Sequence, residues 1–542
     1  MKNRWRDIDI FKCILGKFKD RKLSIRKIAK DTGIPKSSVH RRIAAMIRRA
    51  IYAGSHFWES EEGILWLKRF ILVLIIQLML KREVGAPTIS QLLNLLHLQN
   101  HIAPSPDTLE KMRKEVEEII VEYGQQQEEQ NKEIGAEKVL ELILGNDELF
   151  FNNHPLLLSM ELRSGFIFLE KRCEDRTYET WLKELEKVLP TGSKVISTVS
   201  DKAAALLKLA SDGLGVMAIA DLFHEIWGIS KKLGSAFGRL KTKAAKSLSI
   251  IEFAVTISTN IPQRNDLEQN REALIEQQSD YQLITQAQKK YQEEMRGVVL
   301  QVHPFKISGG TQSSLSAEEE IRNRLAVLTA LSEEWKIAGG TEAVSKFECQ
   351  THSMCSIIDM WWTLFRAKLK ELSVSLQEED WLMNALLPAV YWKVQLLKTD
   401  SKEIANSYRE ALRIACENLL EHPFTGQVGK KYMKLENWCR KMVEYFQRTS
   451  SAVEGRNGQL SQSYHCGRGL SSQRVKVLTI LHNYDHQGVY GITPAEHLFG
   501  RVPPNLIEYV LKRFERLPKP RNRKKQTKEN FLDIKLSPAL SV

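Results

Sequence analysis

Two aspartates in this 542-residue chain stand where side chains can do phosphoryl chemistry. Asp147 follows an apolar run of strand length that begins at Val139, and Asp201 comes just after another, Val195 to Val199. Strands that lie side by side bring carboxylates at their ends to one spot, and converging hard oxygen donors are what a divalent metal site for phosphoryl transfer needs. The elements that must position them are written around them. Between Val139 and Asp221, apolar runs broken by Gly, Asn and Pro give way to alternating strand and helix patterns, the signature of a mixed sheet with helices laid on it. Strands are expected at Val139 to Leu144, Leu156 to Leu162 and Phe166 to Glu170, with Ser164-Gly165 turning the last hairpin. A helix over Tyr178 to Val188 then leads to strand Val195 to Val199, and a helix over Lys202 to Ala210 to strand Val216 to Ala220.

The chain is too long for one hydrophobic core; a prior of about 150 residues per domain gives three or four. Apolar content of 43% with 27% charged residues reads as soluble and globular, and the net charge of +13 is concentrated. Ten Lys or Arg lie between Arg21 and Arg49 against Asp31 alone, and nine lie between Lys512 and Lys528 against Glu515 alone. Such clusters are the electrostatic footprint of a polyanion binder. Seven scattered cysteines read as reduced thiols of a cytosolic protein. No secretion signal opens the chain. The most apolar run, Phe70 to Leu80, is about half the length needed to cross a bilayer, so a buried helix over Glu62 to Leu80 and no membrane partner are expected.

Ile8 to Phe18 has the pattern of a short amphipathic helix. From Leu23 to Ala50 the sequence then reads as a helix-turn-helix. Ile25, Ile28 and Ala29 form one apolar face, Thr32-Gly33-Ile34 is a tight turn, and Ser37 or Ser38 caps a second helix with Val39, Ile43 and Ile47 buried. A second helix of this kind enters the major groove, which places Ser37, Ser38, His40, Arg41 and Arg42 near bases and phosphates. Pro87 to Ile120 repeats short helix, turn and capped helix, and Gly124 to Gly135 has the polarity of a linker or an exposed helix end. From Ile261 to about Phe446 the pattern is helical. Within it Cys349, His352 and Cys355 lack a fourth metal ligand, so packing is the expectation there, as it is for at least one of Trp361 and Trp362. Ser450 or Ser451 caps a helix that carries Glu454 in its first turns and Arg456, Asn457, Gln459 and Gln462 on a polar face. The Pro-rich basic end, with Lys519, Arg521 and Arg523, is expected to trail along DNA or another subunit.

Three antiparallel strands followed by strands reached through helices is the order of the ribonuclease-H-like sheet, although periodicity alone admits other mixed folds. The chain resembles the DDE transposases of bacterial insertion elements. The resemblance is carried by GNDELFF around Asp147, SGFIFLEK with DRTYETW, VSDKAAALL around Asp201, ADLFHEIW, SAVEGRNGQLS around Glu454, and LHNYDHQGVYGITPAEHLFG with LPKPR. It implies an α/β, ribonuclease-H-like core interrupted by a large all-α insertion and preceded by the helix-turn-helix, in which Asp147, Asp201 and Glu454 form a metal-binding triad. Glu454 then follows Asp201 by 253 residues. Glu148 is read as pointing out of the site and Glu496 as structural. The division implied is a helix-turn-helix at 1–60, a helical DNA-binding or dimerisation region with linker at 61–135, core at 136–260, insertion at 261–447, core at 448–511 and a basic tail at 512–542.

The resemblance implies two Mg²⁺ or Mn²⁺ ions per site and a reaction on double-stranded DNA, both transposon ends and target. One ion activates water or a 3′-hydroxyl while the other stabilises the departing oxygen. Carboxylates suit Mg²⁺ better than His or Cys. Arg456 and Asn457 are expected to contact the scissile strand. By resemblance Arg176, Trp181 and His224 are DNA contacts, with helix packing as the other reading of Arg176 and Trp181, and a solvent-facing or core-capping role that of His224. Joining two DNA ends implies a homodimer or larger assembly, cytoplasmic and associated with the bacterial nucleoid. Two other functions stay open: a nuclease of the same fold that cuts without joining, and a DNA-binding regulator on an inactive scaffold.

Overall fold

The computed structural model describes residues 24–41, 55–58, 60–137, 139–260, 267–467, 469–488 and 491–520. The helix expected over Ile8 to Phe18 lies outside them, as do Arg42, Ile43, Ile47, Arg521 and Arg523. The chain divides into two compact units, one from residues 1–127, 463–480 and 504–542, the other from residues 128–462 and 481–503.

In the first unit, α1 (Ile25–Thr32) starts at Ser24, whose hydroxyl accepts from Lys27 N–H at 3.3 Å, and stops at Gly33 with φ 67. That left-handed turn is one that Gly adopts without strain. Ile28, Ile34 and Val39 are buried together, with Ile25 and Ala29 packed on them. The second helical stretch, residues 36–41, begins two or three residues earlier than expected: Pro35 C=O accepts from both Ser38 N–H and Val39 N–H. Ser37 and Ser38 therefore sit inside its first turn rather than capping it. Ser37, His40 and Arg41 are exposed and Ser38 half-buried.

α2 (Glu61–Leu74) runs on through a π-helical turn (Ile75–Leu80), so Glu61–Leu80 is one helical run of 20 residues. An 18-residue window within it has a mean hydropathy of 2.0, so by length and composition it could cross a membrane, where the run from Phe70 alone was too short. Ile71, Leu72, Ile75, Ile76 and Leu80 are nonetheless buried. α3 (Pro106–Glu137) absorbs the polar stretch after Gly124 as helix.

The second unit holds a five-stranded sheet: β1 (Glu141–Phe151), β2 (His154–Glu161), β3 (Phe166–Arg172), β4 (Lys194–Ser200) and β5 (Met217–Ala220). The order is β3-β2-β1-β4-β5, with β1, β2 and β3 antiparallel and β4 and β5 parallel to β1. α4 (Tyr178–Val188) connects β3 to β4 and buries Trp181 and Leu185. β1 is longer than its apolar run. Asn152 and Asn153, with φ 50 and 65, make the two-residue turn that returns it as β2, so pairing continues to Phe151 and Asp147 lies inside β1 rather than after it.

After β5 come α5 (Leu222–Ile229), α6 (Ser235–Asn260), α7 (Leu267–Gln301), α8 (Ser314–Glu334) and α9 (Gly340–Glu371), and further helices to Glu444. This helical middle has an aromatic core. Phe305, Trp361 and Phe446 meet edge to face, Tyr391 does the same with Trp392, and the His303 ring bonds the hydroxyls of Tyr391 at 2.5 Å and Tyr408 at 3.1 Å. Trp361 and Trp362 are both buried there. α10 (Ser451–Gly467) then returns to the sheet. It is followed by α11 (Ser472–Asp485), whose Asn483 side chain bonds both N–H and C=O of Ile167 on β3 at 2.9 Å. Within the first unit, Arg474 of α11 bonds Glu117 at 2.6 Å and Glu83 at 2.9 Å.

Candidate active site

β1 and β4 run parallel, and their register ends on Gly145 opposite Val199. Two residues further along each chain are Asp147 and Asp201, so counting along the register sets them side by side at the end of β4. Asp147 faces the same side of the sheet as Gly145, since side chains alternate. On that side lies α10. A methyl group on Gly145 would stand 2.5 Å from Leu162 Cδ2 and 2.8 Å from Val453 Cγ2, so only glycine lets α10 lie this close. The next residue on α10 is Glu454.

Burial raises the Asp147 carboxyl to about 7, the bond from Glu148 N–H works against that rise, and the negative charges of Glu454 and Asp201 add to it. It accepts from Asn457 Nδ2 at 2.6 Å and from the N–H of Glu148 at 2.8 Å. Asp201, exposed at the mouth, accepts from Ala203 N–H at 3.0 Å. The three acids are hard oxygen donors that repel one another when no cation is present, which fits a divalent ion such as Mg²⁺. Among the described residues, however, no three His, Cys, Asp or Glu side chains stand close enough to hold a metal ion as they are arranged.

Several expected DNA contacts serve the frame instead. Arg456 is 3% exposed and makes a bidentate ion pair with Glu170 of β3, Nε to Oε1 and Nη2 to Oε2, each 2.7 Å. Asn457 is 7% exposed and spent on Asp147. Both were expected on the scissile strand because the helix has few apolar residues; the polar face is polar because it packs on charged groups of the sheet. Trp181 is fully buried and donates to Glu148 Oε1 at 3.2 Å, so its helix-packing reading holds. Glu148, one residue beyond Asp147, points to the other face as expected and also binds exposed Arg176 at 2.5 Å. His224 is half-buried in a cleft of about 510 Å³ that also exposes Asp201. Lys519 is exposed. In the helical middle, exposed His352 is paired with Glu318 at 3.1 Å, and Cys355 is buried, its thiol pushed up to about 12 by burial.

Asp221 is the residue that sequence reading left without a role. Buried after β5, it caps α5 through Phe223 N–H at 2.9 Å and accepts from Ser450 N–H at 3.1 Å and Ser450 Oγ at 2.5 Å. One carboxylate thus fixes the start of α5 and the start of α10, and with the latter the first turn that carries Glu454. The signal in the sequence was a strand ending on Asp with a helix after it, which is an N-cap pattern.

Residues 10–50 match the IclR helix-turn-helix domain, and residues 382–526 match DUF6399, a family of unknown function. No curated protein matches the chain. The chain therefore carries an IclR-type helix-turn-helix domain, which suggests a DNA-binding protein, and a DUF6399 domain that takes in Glu454 and Asn457. Asp147 and Asp201 lie outside both matched segments.

Proposed function

We propose that this chain is a DDE transposase that cuts DNA at the ends of a mobile element and joins the 3′-hydroxyls to target DNA. The observation that carries the reading is the register of β1 on β4, which runs out beside Asp147 and Asp201 under the first turn of α10 with Glu454. The strand order β3-β2-β1-β4-β5, three antiparallel and two parallel, supports a ribonuclease-H-like core. The helix-turn-helix match supports DNA as the partner.

In this reading Asp147, Asp201 and Glu454 hold Mg²⁺ or Mn²⁺, which when bound neutralises charge on the transferring phosphate and aligns the attacking and leaving oxygens. The chain's own residues prepare the place. Asn457 orients the Asp147 carboxyl, Arg456 and Glu170 clamp α10 to β3, and Asp221 holds the start of α10 through Ser450. The assembly that joins two ends is a dimer or larger.

A DNA-binding regulator is the second reading. It is favoured by the absence, among the described residues, of a ready-made group of three metal-ligating side chains. Incubation of the purified protein with Mg²⁺ and duplexes from the DNA flanking its coding sequence separates the two. Strand-transfer products support the transposase, cleavage without joining reduces it to a nuclease, and retained duplexes with no nicks in Mg²⁺ or Mn²⁺ leave the regulator.

A further inference from the structure

The cleft that exposes Asp201 continues into a second one. The first, about 510 Å³, is lined by His224, Trp227, Lys231, Lys232 and Lys346, with Glu225 and Glu342 on its walls. The second, about 460 Å³, shares Lys231 and Lys232 and adds Arg239, Lys243 and Lys336 with no acidic residue. The two form one trough along α5, the π-helical turn Ser230–Gly234 and the first turns of α6, walled by the start of α9 and the turn before it. Its charge is graded. Carboxylates balance lysines beside Asp201, and the far half is purely cationic.

Two further facts bear on what the trough could hold. None of its six Lys and Arg side chains has a carboxylate within ion-pair distance among the described residues, so their charge faces the trough. Trp227 is 51% exposed, its indole covered on one side by Lys231 Nζ at 4.7 Å from the ring centroid. An exposed indole beside unspent cations is the pairing that single-stranded nucleic acid uses: bases stack on the ring, and phosphates follow the positive charge.

We propose that this trough holds a single DNA strand leaving the carboxylate site, one base against Trp227 and its phosphates on Arg239, Lys243 and Lys336. The proposal rests on the carboxylates being a DNA-processing site, and it names which strand form the protein grips beyond them.

The test uses the full chain and a fluorescein-labelled 20-nucleotide oligothymidylate, read by anisotropy across salt concentrations. The triple variant R239A/K243A/K336A is expected to bind about tenfold or more weakly at 0.1 M salt, with a salt slope lower by about 2, since each lost phosphate contact removes roughly 0.7. Trp227→Ala is expected to weaken binding about fivefold or more, and Trp227→Phe to restore most of it. These side chains are exposed, and unchanged thermal melts establish that the variants fold. Wild-type affinity and slope in the triple variant would overturn the trough, as would a wild-type protein that ignores the oligonucleotide. The outcomes separate from those for cleavage. If Asp147→Asn protein binds the oligonucleotide normally and the triple variant does not, the trough stands whether or not any cutting is seen. If the wild type cuts DNA and the triple variant binds and cuts equally well, the trough fails and the carboxylate site survives.

Discussion

Arg456 and Glu170 share a bidentate ion pair whose side chains are 2% and 0% exposed, and it pins α10 to β3 across the sheet from β4. A pair so deeply buried is weak evidence of net stabilisation, but removing one partner strands a charge, at a cost of about 3–5 kcal/mol. Glu170→Ala should therefore lower the unfolding free energy from urea titration by that much, and Arg456→Lys, which cannot reproduce the fork, should also destabilise. A Glu170→Ala protein that unfolds with the wild type would mean the clamp contributes nothing.

Asn457 is expected to act through Asp147 rather than on DNA. Asn457→Ala removes the 2.6 Å bond to Asp147 Oδ2 and should cut cleavage about 10–100-fold, the usual range for residues that orient a ligand. Duplex binding measured by gel shift should stay unchanged. Weaker duplex binding with normal cleavage would return Asn457 to the DNA-contact role.

Gly145 sets the distance between sheet and helix. Gly145→Val places side-chain atoms where Leu162 and Val453 already are, and overpacking of this kind costs about 1–3 kcal/mol. Because Glu454 follows Val453, the loss of cleavage should exceed what a control of equal instability, such as Leu185→Ala beneath α4, produces. Equal losses in the two variants would show that Gly145 matters to folding alone.

Acid sensitivity should come from His482. Burial, then the nearby charge of Arg456, lower its pKa from 6.5 to about 4, and its Nε2 bonds Gly165 C=O at 2.9 Å. A depressed histidine pKa means that the folded state refuses a proton the unfolded chain accepts. No stability is lost above pH 6.5. Loss then grows as pH falls, to about 3 kcal/mol near pH 4, below which the folded state protonates too. His303, fully buried between Tyr391 and Tyr408 and also held well below its usual value by burial and Arg448, adds loss of the same sign. His482→Gln keeps a donor to Gly165 and removes the titration. Melting temperatures between pH 7 and 4.5 should fall less steeply in the variant, and parallel slopes would rule the histidine out.

The strand-and-helix alternation around Asp147 and Asp201 was readable because each element announces itself within a few residues. β2, β3, α4, β4 and β5 all lie where their apolar runs put them. What the sequence could not convey was pairing at long range. Nothing local to Glu170 says that it meets Arg456, 286 residues on, or that Asp221 meets Ser450 across 229. Arg456 and Asn457 looked like substrate contacts because polarity in a helix reads as exposure, and a buried ion pair inverts that rule. The length of β1 was hidden by Asn152-Asn153, a turn whose positive φ values emerge only when the hairpin is seen closed.

The central claim is that Asp147, Asp201 and Glu454 work together, and three single variants test it most directly. Asp147→Asn, Asp201→Asn and Glu454→Gln should each abolish Mg²⁺-dependent nicking of the flanking duplexes while gel shifts and thermal melts stay close to wild type. Nicking that survives in any one of them, or that was never present in the wild-type protein, would contradict the account.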